Sequence, residues 1–243
     1  MQNLSYYHSW QKRSFDICLS LVLLCVLTPV FCSVVLVLFA TSGAPVLFWQ
    51  ERMGHKKQPF KMLKFRTMHV LAEERKKQLE KHNEAPWPMF KMKNDPRFTR
   101  FGKHLSRLGL DELPQFFHIL TGKMSFVGPR PLPVHEAKKL PKNWNFRYHV
   151  RPGILSEWAI APDRYVSLKR WRELELETLR NGSLISDIKL ILRSCLMMMN
   201  VLRIKRSFFF NKRQVSLSRS QPRVARQHSP VATRKRASLG SFA

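Results

Sequence analysis

The stretch that decides the fold runs from Ile17 to Ala40, ICLSLVLLCVLTPVFCSVVLVLFA, and contains no Asp, Glu, Lys or Arg. The charge-free region continues to Gln50. As a helix, the 24 residues of this run rise about 36 Å, enough to cross a hydrocarbon core of about 30 Å. Lys12 and Arg13 precede it, yet the run exceeds the apolar core of a usual signal peptide and no small-x-small cleavage site closes it. Cations lie on both sides, with Arg52, Lys56, Lys57, Lys61, Lys64 and Arg66 following, so the positive-inside rule draws both ends to one side. In the middle, Pro29 removes an amide donor and crowds the preceding turn, while the Thr28 hydroxyl can bond a carbonyl one turn back. Two readings satisfy the residues: a re-entrant helix-break-helix that leaves by the leaflet it entered, and a single spanning helix.

Outward from this run the chain is strongly basic. Forty-three Lys and Arg against 16 Asp and Glu give a formal net charge of +27, which calls for anionic partners: phosphorylated small molecules, a membrane surface or nucleic acid. The cations follow a membrane segment and no nucleic-acid motif is present, so nucleic acid is not an expected partner. Cys18, Cys25 and Cys32 lie within the apolar run and Cys195 is far downstream, which forms neither a disulfide framework nor a CxxC metal site.

Residues 44–68 read as two strands around a basic turn marked by Gly54 and Pro59, with Lys64 and Arg66 flanking Phe65. Residues 70–84 read as a solvated helix ended by Pro86 and Pro88. In 94–107, Arg97, Arg100, Lys103 and Arg107 recur at spacings of three and four, one basic face if the segment is helical. Asp111 and Glu112 stand at an expected helix start, with Pro114 early in the helix. An acidic pair there is ordinarily a cap and a first-turn acid. Here it lies in a basic stretch, and the turns GPRP (Gly128 to Pro131) and RPG (Arg151 to Gly153) each present an arginine. Carboxylates among arginines on stiff turns suit a metal site that handles phosphate. Residues 183–201 read as an amphipathic helix whose Met197 to Met199 belong either to the core or to a membrane interface. From Arg203 onward there is no acid, and disorder is expected.

Nine segments in order resemble the monotopic polyprenyl-phosphate phosphoglycosyltransferases, bacterial sugar transferases that initiate exopolysaccharide, O-antigen and glycoprotein glycan assembly. They are KRSFD (Lys12 to Asp16), the run broken at Thr28-Pro29, PVLFWQERMG (Pro45 to Gly54), PFKMLKFRTM (Pro59 to Met68), NDPRFTRFGKHL (Asn94 to Leu105), LDELPQ (Leu110 to Gln115), MSFVGPRP (Met124 to Pro131), VRPGI (Val150 to Ile154) and SLISDIKLIL (Ser183 to Leu192). The resemblance implies an α+β, mostly helical monotopic membrane protein. A re-entrant N-terminal segment (1–43), broken at Thr28 and Pro29, would precede a small cytoplasmic catalytic domain (44–202) and a basic tail (203–243). It implies a bacterial inner-membrane enzyme, with its catalytic domain on the cytoplasmic face, that transfers a phosphosugar from a UDP-sugar to polyprenol (undecaprenyl) phosphate. By the same resemblance Asp111 is the nucleophile of a covalent intermediate that releases UMP. Asp111 and Glu112 hold Mg2+, and Lys64, Arg66, Arg107, Arg130 and Arg151 bind phosphates or support the site. Membrane lipids, a second copy of the chain and downstream glycosyltransferases are the further partners implied. The chain departs from the family pattern at Lys123 (usually Asp), Ser106 (usually Arg), Leu155-Ser156 (usually Thr-Gly) and Lys57 (usually Gly). Lys123 and Ser106 motivate a second reading, a catalytically weak membrane-bound relative that serves as an assembly partner.

Overall fold

The computed structural model describes residues 4–200, and the expected basic tail lies outside them. A short helix α1 (Leu4–His8) leads into α2 (Trp10–Ser42), which Ser9 caps by accepting the Lys12 amide. Thirty-three residues make α2 about 50 Å long. Among the described residues it is the one helix long and apolar enough to cross a membrane, and Leu21, Val22, Val26, Leu36 and Phe39 are exposed along it.

The expected break at Thr28-Pro29 is not a break in the helix, which continues through Pro29. Proline costs the helix only its own amide bond, to the Cys25 carbonyl, and neighbouring turns keep theirs. The Thr28 hydroxyl donates to the Leu24 carbonyl at 2.6 Å, one residue before the carbonyl that Pro29 frees. Back-bonding of this kind bends a helix without ending it.

After Gly43 the chain forms a hairpin of β1 (Leu47–Met53) and β2 (Pro59–Phe65), antiparallel with Leu47 opposite Phe65 and Met53 opposite Pro59. Its turn is basic, as expected, and Lys56 and Lys57 sit there with φ of 52° and 60°. The helical stretch expected over 70–84 is α3 (Ala72–Leu79) followed by a 3-10 turn, Glu80–His82. Next comes α4 (Arg100–Arg107), capped by Thr99. Arg97 therefore does not share its basic face. The Thr99 cap starts the helix three residues later, and Arg97 is buried against Asp95 at 2.6 Å. The acidic pair likewise precedes the α-helix: Leu110–Gln115 is a 3-10 segment, and α5 (Phe116–Leu120) begins after it. Gly109, at φ 65°, takes the left-handed turn that opens the segment, and no side chain caps it.

Two short parallel strands follow, β3 (Ser125–Val127) and β4 (Gly153–Leu155), separated by α6 (Val134–Ala137) and a 3-10 run, Lys142–His149. They bring the GPRP and RPG turns together. A Cβ on Gly153 would lie 2.2 Å from the Gly128 amide nitrogen, so these backbones approach only because both residues are glycine. Then come α7 (Glu157–Ile160), α8 (Leu168–Arg180) and a last helix, α9, over 184–200. The fold is thus mixed and mostly helical.

One apolar core joins Val34 and Leu38 of α2 to Met62 and Phe65 of β2, Leu105, Leu113, Phe116, Ile119, Phe126 and Leu190. A second surrounds Trp144, Trp158 and Trp171, with ring centroids 4.7 Å apart for Trp144–Trp171 and 5.8 Å for Trp158–Trp171. The foot of α2 is fixed by a buried polar staple. Lys12 Nζ lies 2.8 Å from Asp16 and 2.7 Å from Asp187 on α9, and the Tyr6 hydroxyl donates to Asp187 at 2.8 Å. Such charges are tolerated in the interior only when paired, and here each carboxylate has the lysine and a further donor, Asp16 accepting the Phe126 amide. Met197, Met198 and Met199 are exposed, so of the two readings of this helix end the core is the wrong one.

Candidate active site

The 3-10 segment packs against β2 and carries Asp111 and Glu112 on successive residues. Glu112 turns toward cations from two directions. Lys64 of β2 donates to its Oε1 at 3.0 Å, and Arg130 of the GPRP turn donates to the same oxygen at 2.7 Å. Burial pushes the Glu112 carboxyl up, but Arg130 and Lys64 outweigh it and hold the group well below the usual carboxylate range. Asp111 is buried, and its acidity shifts the other way. Burial raises its pKa first, Lys64 and Arg130 oppose, and the neighbouring Glu112 charge adds to the rise. Two adjacent acids thus have opposite electrostatic settings, the pattern expected when one is a permanent charge and the other a reactive group.

Arg130 is presented by a backbone braced on both sides. Arg52 of β1 donates to the Pro131 carbonyl at 2.9 Å, and the Arg147 guanidinium donates to the Arg130 carbonyl. Arg147 pairs at 3.0 Å with Glu175 of α8, which also accepts the Trp171 indole N–H at 2.9 Å. Burial, and then the nearby Arg130, pull Arg52 down to about 10. Arg52, Arg147 and Glu175 were missed by the sequence reading, because no local spacing links them to the acidic pair. For Arg52 the one signal was a cation in a strand that otherwise buries its end.

Of the expected site residues, Asp111, Glu112, Lys64 and Arg130 come together, whereas Arg66, Arg107 and Arg151 do not join them. Arg66 donates to the Ser42 and Gly43 carbonyls, where α2 has run out of amide donors. Lys64 and Arg66, two residues apart, would share a face if β2 continued, but the strand ends at Phe65. Arg107 is exposed on the last turn of α4. Arg151 donates to the Gly122 carbonyl at 2.9 Å. Of the departures from the family pattern, Lys123 is exposed beside Gly122 and Ser106 lies on α4, and neither touches the acidic pair.

The described residues contain no group of three or more His, Cys, Asp or Glu able to cage a metal. Two carboxylates nonetheless fit a hard cation such as magnesium, which commonly takes one or two from the protein and its other oxygens from water and phosphate.

Residues 7–201 match the family model described as bacterial sugar transferase. The chain belongs to the bacterial sugar transferase family. Within it, the chain is 36% identical over 188 residues to the UDP-glucose:undecaprenyl-phosphate glucose-1-phosphate transferase of Escherichia coli, covering 74% of this chain and 38% of that one. It is 35% identical over 195 residues to the galactosyl transferase CpsE of Streptococcus agalactiae, covering 79% and 43%. The exopolysaccharide production protein ExoY of Sinorhizobium fredii is 33% identical over 187 residues, 75% of this chain and 83% of that one. The chain thus spans about two fifths of the first two sugar transferases and most of the third. The match covers α2, the hairpin, the acidic pair and both glycine turns.

Proposed function

We propose that this sugar transferase moves a sugar phosphate from a UDP-sugar to polyprenol phosphate at the cytoplasmic face of the bacterial inner membrane. The observation that carries the reading is the asymmetric pair: a buried Asp111 with raised pKa beside a Glu112 clasped by Lys64 and Arg130. The names of the relatives, an undecaprenyl-phosphate glucose-1-phosphate transferase among them, supply the substrate classes.

In this reading an Asp111 carboxylate oxygen attacks the sugar-bearing phosphorus. A phosphorus–oxygen bond forms to Asp111, the bond to the bridging oxygen breaks, and UMP leaves with that oxygen. A phosphate oxygen of the lipid then attacks the same phosphorus, the bond to Asp111 breaks, and a polyprenyl diphosphate sugar is released. Splitting the transfer replaces the encounter of two phosphorylated substrates by two separate displacements at one carboxylate. Lys64 and Arg130 lie where negative charge accumulates, and Arg52 and Arg147 keep the Arg130 turn from yielding to it. Asp111 and Glu112 are the residues that would hold Mg2+, whose contribution when bound is further neutralisation of phosphate charge.

The same reading makes α2 a re-entrant helix, bent at Thr28-Pro29 without a break, that leaves by the leaflet it entered. Its support is that both ends and the middle pack on one body: Arg13 donates to the Ile119 and Leu120 carbonyls, Phe31 lies against Phe65 and Phe117, and Arg66 holds Ser42 and Gly43. Neither end is left free to sit across a bilayer.

The test is UMP release by the detergent-solubilised full chain with magnesium, undecaprenyl phosphate and a panel of UDP-sugars. Turnover with one UDP-sugar that disappears in Asp111→Asn supports the reading. Absence of UMP release across the whole panel overturns it in favour of a catalytically weak relative.

A further inference from the structure

Arg151, expected beside the acidic pair, instead converges with a second arginine. Both adjoin Gly122, whose φ of 77° turns the chain between α5 and β3. A Cβ built on Gly122 would lie 3.5 Å from Arg13 Nη2 and 4.0 Å from Arg151 Nε, so two guanidinium groups converge on this glycine. Each guanidinium is oriented by backbone carbonyls: Arg13 by Ile119 and Leu120, Arg151 through Nε by Gly122. Neither forms an ion pair among the described residues, and the nearest acid to Arg13, Asp16, already serves Lys12. Arg151 makes only this one hydrogen bond among them, which leaves its two terminal nitrogens to face outward.

One more cation adjoins this turn: Lys123 follows Gly122 and is exposed. Burial and the nearby cations, Arg151 among them, hold the His55 ring in its neutral form. Burial and then the proximity of Arg151 make the Arg13 guanidinium easier to deprotonate, as mutual repulsion requires. Like charges fixed this close are costly unless an anion joins them. Arg13 lies on α2 only four residues before the apolar run begins, which puts this pair of arginines at the level where the chain meets the membrane.

We propose that Arg13, Arg151 and Lys123 around Gly122 form a binding site for the phosphate of an anionic phospholipid headgroup. Planar guanidinium forks match phosphate oxygens, and the flanking lysine adds charge without demanding a geometry. The site shares no residue with the Asp111–Glu112 cluster. Its location at the membrane rests on the membrane reading of α2, whereas its chemistry does not.

The experiment measures thermal unfolding of the detergent-solubilised full chain without any UDP-sugar. Separate arms contain dihexanoyl-phosphatidylglycerol, dihexanoyl-phosphatidylcholine, inorganic phosphate and farnesyl phosphate. Phosphatidylglycerol at about tenfold over its Kd should raise the midpoint by about 3–6 °C, and phosphatidylcholine should not. Lys123→Asp supplies an internal anion, so it should raise the midpoint of the unliganded protein and remove the phosphatidylglycerol response. Arg151→Gln should remove the response without that gain. The proposal is overturned if Lys123→Asp keeps the full response, or if phosphatidylglycerol has no effect. A response to inorganic phosphate alone makes the occupant a free anion, and one to farnesyl phosphate alone makes this the acceptor site. Either of those outcomes also refutes the headgroup. UMP release, measured separately, tests the transferase reading, so the two fail independently.

Discussion

Neutralising the two adjacent acids should move stability in opposite directions. Asp111→Asn removes a charge that burial and Glu112 disfavour. The variant should be more stable than the wild type at neutral pH, by the ~0.5–2 kcal/mol typical when a functional compromise is relieved. Glu112→Gln removes the anion shared by Lys64 and Arg130, whose side chains are 14% and 31% exposed. Removing one partner of a fully buried pair costs ~3–5 kcal/mol. Partial solvent access at Arg130, and the acceptor oxygen that glutamine retains, reduce this to ~2–4 kcal/mol. For a chain of this size the midpoint should fall by about 5–15 °C. The pH dependence fixes the sign. Asp111 has a raised pKa when folded, so its ionisation costs stability as pH rises through that value, and the gain in Asp111→Asn should vanish only below pH ~3, under the unfolded value of ~3.9, where the group is protonated in both states. Glu112 is depressed, so its contribution is present above its unfolded value of ~4.3 and is lost as pH falls below it. Thermal unfolding followed by circular dichroism at pH 7 and pH 3, with UMP release measured on the pH 7 samples, reads all of this. A parallel loss of stability in both variants, or turnover retained in Asp111→Asn, would refute the division of roles.

The same electrostatics predict that the acid limb of kcat/KM lies above the ~3.9 of an ordinary aspartate, and that Arg130→Gln moves it higher by removing an opposing cation; a limb unmoved by Arg130→Gln counts against Asp111 as the ionising group. Lys12→Met leaves Asp16 and Asp187 facing each other in the interior and should destabilise the chain by ~3–5 kcal/mol in chemical denaturation, whereas a loss under ~1 kcal/mol would mean the staple is not holding α2 to α9. Single cysteines near both ends of α2, in a background lacking Cys18, Cys25, Cys32 and Cys195, should be labelled from the cytoplasmic side only; periplasmic labelling of the N-terminal end would establish a spanning helix. Pro29→Leu restores the missing amide bond and should shift labelling toward that spanning pattern.

What was legible in the sequence was whatever depends on neighbours along the chain. The apolar run, the hairpin with its basic turn, the helix over 184–200 and the rigid glycine turns all follow from local pattern. The 3-10 course of Leu110–Gln115 was harder to read. Asp111, Glu112 and Pro114 are as good at an α-helix start as in a tighter turn, and what decides is Gly109 taking a positive φ. Arg97 was misplaced for a related reason: spacing put it on the face of α4, but its bond to Asp95 and the cap at Thr99 start the helix later.

The destinations of the arginines show why basic residues near an acidic pair are weak evidence of a site on their own. Arginine has the same donors whether it meets a phosphate or the spare carbonyls at the end of a helix. Arg66 and Arg13 meet carbonyls, at the ends of α2 and α5, where amide donors have run out. Arg130 meets a carboxylate because a backbone braced by Arg52 and Arg147 aims it at Glu112. The discriminating feature is therefore what holds the arginine's own main chain. That is a property of residues up to 78 positions away (Arg52 to Arg130), and a motif window cannot contain it.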